Sequence, residues 1–332
     1  MSARGGVWQR SFAVSRKTWL LVGSGCIVLL LLIWAGSGTA WGRASYPVLL
    51  QALITGLLLG GVYSLVSMGL TLIFGVLDII NFAHGALMAL AMYAAYLLVT
   101  FAAFNPYLSL LITVPLLFLL GFVLQRFVIN RIMGQPAENQ LLLTFGLALL
   151  VENALLLIFT GTPKALPAPF AQSSLHLLGA VVDIPRLIAF AGSLLLAGVL
   201  YFLLSRTTIG TAVRAVAENA QGAAMVGIDV RTIYALAFGL GTACVGAAGA
   251  LVAPFLSLDP TVGEQFTIIA FVVVVLGGMG NVAGAFLGGL IIGLLQEIGG
   301  AFFPNINKLL IVFLVFVLLL LLRPQGLLGR KA

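Results

Sequence analysis

The sequence predicts an all-α fold: a polytopic integral membrane bundle of about ten transmembrane helices, with broken helices and a cytoplasmic helix between two of the spans. Three observations predict it. Of 332 residues, 62% are hydrophobic and only 8% charged, too few polar groups to coat soluble domains of this size, so the bilayer must be the solvent. Apolar runs repeatedly reach the roughly 20 residues that a helix needs to cross a hydrocarbon core of about 30 Å. Between Ser205 and Val230 a polar, helix-forming stretch interrupts this pattern, with membrane-length apolar runs on both sides.

Taken in order, the first run covers 18–36 and follows Arg4, Arg10, Arg16 and Lys17. It reads as an uncleaved extra helix within an N-terminal extension, residues 1–45. A basic start, an apolar stretch at 19–33 and the small pair Gly38 and Ala40 also resemble a cleavable signal. Residues 46–330 then form one integral domain. Its first run, 48–77, ends in Asp78-Ile-Ile-Asn-Phe-Ala-His-Gly-Ala-Leu, an acid, an amide and an imidazole between two spans. Ionisable groups at membrane depth are costly and tend to mark pathways. The alternative is a cytoplasmic turn in which Asn81 caps the following helix and His84 faces water or headgroups.

Runs at 85–104, 107–130 and 139–160 follow, with Arg126 and Arg131 near the end of the second of these. Segment 161–185 carries Pro163, Pro167, Pro169 and Pro185, which make it a stiff external connector. After the run at 186–205 comes the polar stretch. Thr207 or Thr208 can cap a helix reaching about Met225, Arg214 and Glu218 sit at i,i+4, Gly227 supplies a left-handed stop, and Asp229 can cap the next span. Val213, Val216, Ala217, Ala220, Ala223, Ala224 and Met225 give this helix a mild apolar face of mostly small residues, suited to a groove on another protein. A helix resting on headgroups would use the large Trp, Phe and Leu side chains that are missing here.

The last runs are 231–256, 265–280, 283–301 and 305–322, followed by Arg323, Arg330 and Lys331. In Leu276 to Gly293, the glycines at 277, 278, 280, 284, 288, 289 and 293 include pairs four apart, which let helix backbones approach; Gly239, Ala243, Ala247 and the run Gly246 to Gly249 follow the same logic. Gly278-Met-Gly280-Asn-Val-Ala283 also satisfies a dinucleotide-binding pattern, but its flanks are membrane-length runs without the required strand and acidic partner. Asn81-Phe-Ala-His-Gly-Ala and Asn281-Val-Ala-Gly-Ala echo each other and hint at an internal repeat, as transporters with paired halves show.

Basic residues collect before the first span, after the fourth, around the central stretch and in the tail, and ten alternating crossings place all four groups inside. A net charge of +7 spread over separate membrane edges forms no nucleic-acid stripe. None of the four lysines follows a glycine, so there is no P-loop for ATP. His84 and His176 lie far apart, Cys26 and Cys244 sit in apolar runs, and no metal-ligand spacing or nucleophile elbow occurs, so neither an enzyme nor a metal protein is expected. An ion-driven secondary transporter would bury charged groups in its spans, where only Glu152 and Glu297 are candidates.

Four blocks then carry a resemblance: Ile80-Asn-Phe-Ala-His-Gly85; Arg214-Ala-Val-Ala-Glu-Asn with Ala223 and Gly227-Ile228; Val275-Leu-Gly-Gly-Met-Gly-Asn-Val-Ala-Gly-Ala285; and Arg323-Pro-Gln-Gly-Leu-Leu-Gly-Arg330. Together they resemble the branched-chain amino acid ABC transporter permeases of the LivH type, over about Tyr46 to Arg330. The resemblance implies that 46–330 is the permease domain of an importer in the bacterial inner membrane, with both termini cytoplasmic. It implies a related permease as a heterodimer partner, two cytoplasmic ATPases that bind the ATP, no cofactor in this chain, and a periplasmic binding protein that delivers leucine, isoleucine or valine.

By the same likeness, Arg214, Glu218, Ala223 and Gly227 belong to the segment that couples to an ATPase. Asn81, His84 and Gly85, with Gly278, Gly280 and Asn281, line or frame the path. Residues 1–45 exceed the family pattern. Relatives that import urea, short amides or other amino acids share the same blocks.

Overall fold

The structure, a computed structural model, describes residues 46–167, 173–177, 180–303, 307–323 and 325–328. The predicted run at 18–36 with its basic flank, Cys26, Pro169, Arg330 and Lys331 lie outside them. Each of the nine predicted runs from 48–77 onward coincides with an apolar helix. These are α1 (Tyr46–Leu77), α2 (His84–Ala102), α3 (Leu110–Phe127), α4 (Ala137–Phe159), α5 (Ile184–Arg206), α8 (Val230–Val252), α9 (Val262–Gly277), α10 (Val282–Phe302) and α11 (Lys308–Leu322). Seven are long and apolar enough to cross a membrane, whereas α9 and α11 are shorter. Between α5 and α8 the polar stretch folds into α6 (Thr208–Glu218) and α7 (Ala220–Met225).

Two helices form the centre. α1 and α8 are the most buried spans; α10 packs along α1, and α3 along α8. Small residues set these separations, because helices in lipid associate through close packing rather than through escape from water. Gly69 of α1 meets Gly241 of α8, and Gly289 and Gly293 of α10 lie against the α1 backbone at Ser64 and Gly60. Lipid-length apolar side chains cover the outer helices instead: Leu142 and Leu157 of α4, Leu111 and Leu119 of α3 and Phe202 of α5 are all exposed.

The two ends of the bundle differ in charge. α3 ends and α8 begins at one end, tied by Arg126 Nη1 donating to Thr232 Oγ1 at 2.9 Å. This end gathers Arg126, Arg131, Arg206, Arg214, Arg231 and Arg323. The opposite end holds Lys164, Arg186 and Lys308, and there two of the three face acids: Arg186 pairs with Asp183 at 3.2 Å and Lys308 with Glu297 at 2.7 Å.

The proline-rich connector at that end is more ordered than a plain stiff loop. β1 (Ser174–Leu177) and β2 (Ala180–Asp183) make an antiparallel hairpin with Ser174 opposite Asp183. The Gln51 side chain both donates to and accepts from the Val181 backbone at 2.7 Å, standing in for a neighbouring strand and pinning the hairpin to α1. Lys164 and Leu258 exchange backbone bonds at 2.9 and 2.7 Å, closing the same end over the start of α9.

Candidate functional site

The first site is a helix break inside the bundle. α1 is 32 residues long, about 48 Å, and stops where Asp78 takes φ 55°. The chain then doubles back. His84, the first residue of α2, donates from Nε2 to the carbonyl of Val66 at 2.9 Å. Val66 precedes the end of α1 by eleven residues, about 16 Å, so α2 starts deep in the bundle and residues 78–83 cross that depth as non-helical chain that ends in a turn at Phe82 and Ala83. Non-helical backbone at such depth is tolerated only where protein buries it or a cavity takes it up.

Local bonds hold the break. Asn81 Oδ1 accepts from Ala83 N at 3.1 Å, and Gly85 N donates to Thr267 Oγ1 at 3.0 Å. Gly85 lies directly against the backbone of Gly263 at the start of α9, and a β-carbon on either would collide with the other's carbonyl. Two helix starts therefore meet at the depth of Val66. His84 is fully buried, so the reading in which it faces water or headgroups is corrected; Asn81 does bond to the backbone that opens the next helix, but from a buried position.

Side chains along the break alternate as in a strand. Ile79, Asn81 and Ala83 are buried, whereas Asp78, Ile80 and Phe82 are exposed. Phe82 stands edge-on to Phe145 of α4, with centroids 6.4 Å apart, and tilted against Phe271 of α9 at 5.2 Å. Thr144 Oγ1 donates to the Ile80 carbonyl at 3.1 Å. Behind this apolar front lie unpaired polar atoms: Asn81 Nδ2, His84 Nδ1 and the Ser67 and Thr71 hydroxyls of α1 have no partner among the described residues. An unmade buried hydrogen bond costs about 1–3 kcal/mol, so four in one region call for an explanation. The sequence pointed to Asn81, His84 and Gly85; it missed Ile80, Phe82, Ser67 and Thr71, whose types are ordinary in a membrane helix.

Gly278, Gly280 and Asn281 lie elsewhere. Gly280 sits against Gly75, nine residues nearer the end of α1 than Val66, about 14 Å along it. The turn repeats the local plan of the first break: a positive φ at Gly278, three residues before an Asn whose Oδ1 accepts from the backbone, here Gly284 N at 3.0 Å. Its setting differs, because the tail straps it. Leu327 N donates to Leu276 O at 2.7 Å, Leu328 N to Gly277 O at 3.2 Å, and Asn281 Nδ2 to Leu328 O at 2.9 Å.

The second site is the α6–α7 segment. Thr207 Oγ1 accepts from Gly210 N at 3.1 Å and caps α6. The single helix expected up to Met225 is two, because Asn219 leaves helical geometry at φ −158° and its Oδ1 accepts from Gly222 N at 2.9 Å, capping α7 instead. Gly227, at φ 88°, ends α7 as expected: Ile228 N reaches Ala223 O and Gly227 N reaches Ala224 O, the paired bonds of a Schellman motif. Asp229 Oδ1 accepts from Arg231 N at 3.1 Å, and its carboxyl is held below the usual range, first by the Thr232 hydroxyl and then by backbone amides.

This geometry redistributes the coupling candidates. Val213, Val216 and Ala223 turn into the chain's own bundle and are buried, so Ala223 presents no surface to a partner. Arg214 is half-buried, its guanidinium bonded to the Leu204 carbonyl and the Thr211 hydroxyl. Glu218 and Gly227 are exposed, and between them Met225 and Val226 stand 87% and 78% open, the most protruding apolar pair of the segment.

The family described as branched-chain amino acid transport system / permease component matches residues 52–321. The high-affinity branched-chain amino acid transport system permease protein BraD of Pseudomonas aeruginosa is 32% identical over 300 residues, 85% of this chain and 96% of its own. LivH of Escherichia coli strain K12, named as the same kind of permease, is 29% identical over 305 residues with the same coverage. The ribose import permease protein RbsC of Bacillus subtilis is 33% identical over 132 residues, 36% of this chain and 41% of its own. No solved structure matches.

Proposed function

From the premise that the chain belongs to the branched-chain amino acid permease family, we propose that it is the membrane permease subunit of an ATP-driven importer of leucine, isoleucine and valine. A multi-pass membrane permease works with further transport components. The specific assembly we propose is a related permease as partner, two cytoplasmic ATPases and a periplasmic binding protein, in the bacterial inner membrane. The basic end of the bundle, which carries Arg323 of the tail, faces the cytoplasm, in keeping with the retention of Arg and Lys on that side, and the span proposed from the sequence at 18–36 returns the N-terminus to the same side.

The observation that carries the reading is the deep break at 78–83 with Ile80 and Phe82 exposed. These two side chains, with Phe145 and Phe271, form an apolar wall against which a branched aliphatic side chain slides. Asn81 Nδ2 and His84 Nδ1, buried behind this wall, supply a donor and an acceptor for its polar end once movement of the helices opens the break. Gly85 holds the break through its contact with Gly263; Gly278, Gly280 and Asn281 frame the path from the strapped turn at its cytoplasmic end. Glu218, Met225, Val226 and Gly227 dock on an ATPase, while Arg214 and Ala223 brace that segment against the bundle. ATP-driven movement of the segment then rocks the packed helices between outward and inward openings.

Leucine uptake by the complex reconstituted with its ATPases and binding protein tests this. Phe82→Ala is expected to lower uptake about tenfold, the scale of a truncated apolar contact, while assembly with the ATPases is retained. Wild-type uptake kinetics in Phe82→Ala, Asn81→Leu and His84→Leu together would return the break to a purely structural role.

A further inference from the structure

We propose that the cleft between the end of α3 and the start of α8 binds the phosphate of an anionic phospholipid. Arg126, Asn130, Arg131 and Arg231 line a cavity of about 340 Å³ at the basic edge of the bundle. Three cations thus converge on one cleft whose acid is already engaged: Asp229 accepts from the Thr232 hydroxyl at 2.5 Å and from the Arg231 and Thr232 amides. Neither Arg131 nor Arg231 forms an ion pair with a described residue.

The donors are positioned. Arg126 is braced by Thr232, and Gln125 Nε2 donates to Asn130 Oδ1 at 3.0 Å, which orients the Asn130 amide and leaves its NH2 for an incoming acceptor. Guanidinium pairs match the tetrahedral oxygens of a phosphate better than point charges do.

A lipid, rather than an acidic protein surface, is indicated by what adjoins the cleft. Ile112, Leu116, Leu119, Val123 and Phe127 follow one another at intervals of three or four along α3, all exposed, and lead to the turn that carries Arg126. One molecule with a phosphate and acyl chains would cover the basic cleft and this apolar stripe together. Basic pockets between membrane helices commonly hold such headgroups.

The test uses the full-length chain within its assembled complex, in phosphatidylcholine bilayers carrying traces of spin-labelled phosphatidylglycerol or spin-labelled phosphatidylcholine. The labelled phosphatidylglycerol is expected to be preferentially immobilised, and this preference should fall about fivefold for each of Arg131→Gln and Arg231→Gln. Arg186→Gln, at the opposite end, should leave it unchanged. Equal immobilisation of the two lipids, or a preference that survives both cleft substitutions, overturns the proposal. Loss of the preference in millimolar inorganic phosphate would assign the cleft to a free anion, and its appearance only in the chain stripped of its ATPases would assign it to a protein contact; either result overturns it as well.

Discussion

Gly227 concentrates the residue-scale argument. It stands at φ 88° with nothing within 4 Å of where a β-carbon would be, so a side chain there meets no neighbour and suffers only from the backbone conformation. A β-branched residue in that region costs about 1–2 kcal/mol or relaxes the turn, which would swing Met225 and Val226 away from their present direction. Gly227→Val is therefore expected to insert normally, yet to uncouple ATP hydrolysis from uptake in the reconstituted complex. Full coupling in that variant would remove the docking role. This position was legible in the sequence because a glycine after a short helix has a local meaning. Met225 was legible only as one member of a longer apolar face, of which Val213, Val216 and Ala223 are buried, and Val226 was not, because a helix taken as continuous through Asn219 points its residues differently from two helices joined there.

At the scale of elements, the crossing of α2 and α9 at Gly85 and Gly263 decides whether the break exists. Their backbones touch, and neither is a flexible side chain that can yield. Gly85→Leu is expected to destabilise by at least the about 1–3 kcal/mol typical of overpacking, seen as a lower melting temperature of the detergent-solubilised chain. Gly146→Ala in α4, where a β-carbon meets nothing within 4 Å, serves as the control and should be neutral or slightly stabilising. Equal melting temperatures for the two variants would mean that the crossing is not tight. The glycine-rich blocks signalled close packing from sequence, but not which helix each would meet: Gly277 and Gly284 face each other across their own turn, whereas Gly289 and Gly293 reach α1.

For the molecule as a whole, charge and connectivity support one orientation. The basic end carries Arg126, Arg131, Arg206, Arg214, Arg231 and Arg323, and the other end offsets Arg186 and Lys308 with acids. With Cys244 buried in α8, a single cysteine replacing Met225 or Leu175 of the hairpin can report sidedness in a chain whose Cys26 is replaced by Ser. A membrane-impermeant maleimide should label the Met225 site only in inverted vesicles and the Leu175 site only in right-side-out cells. The reverse pattern would invert the proposed topology and with it the docking of α6–α7.

The sequence by itself determined that the chain lives in lipid, where the nine apolar helices from Tyr46 onward run, where the polar stretch interrupts them and which kin it resembles. All of these follow from composition, apolar run length and local capping chemistry, which act over a few turns of one helix. Only the tertiary structure decided that α2 begins some 16 Å inside the bundle, that Asn81 and His84 are buried while Ile80 and Phe82 are exposed, and that the turn at Gly278 to Asn281 is held by the tail. Those facts depend on which distant backbone each segment packs against. In a chain that is apolar almost everywhere, the contrast between greasy and polar residues that would foretell those contacts is missing.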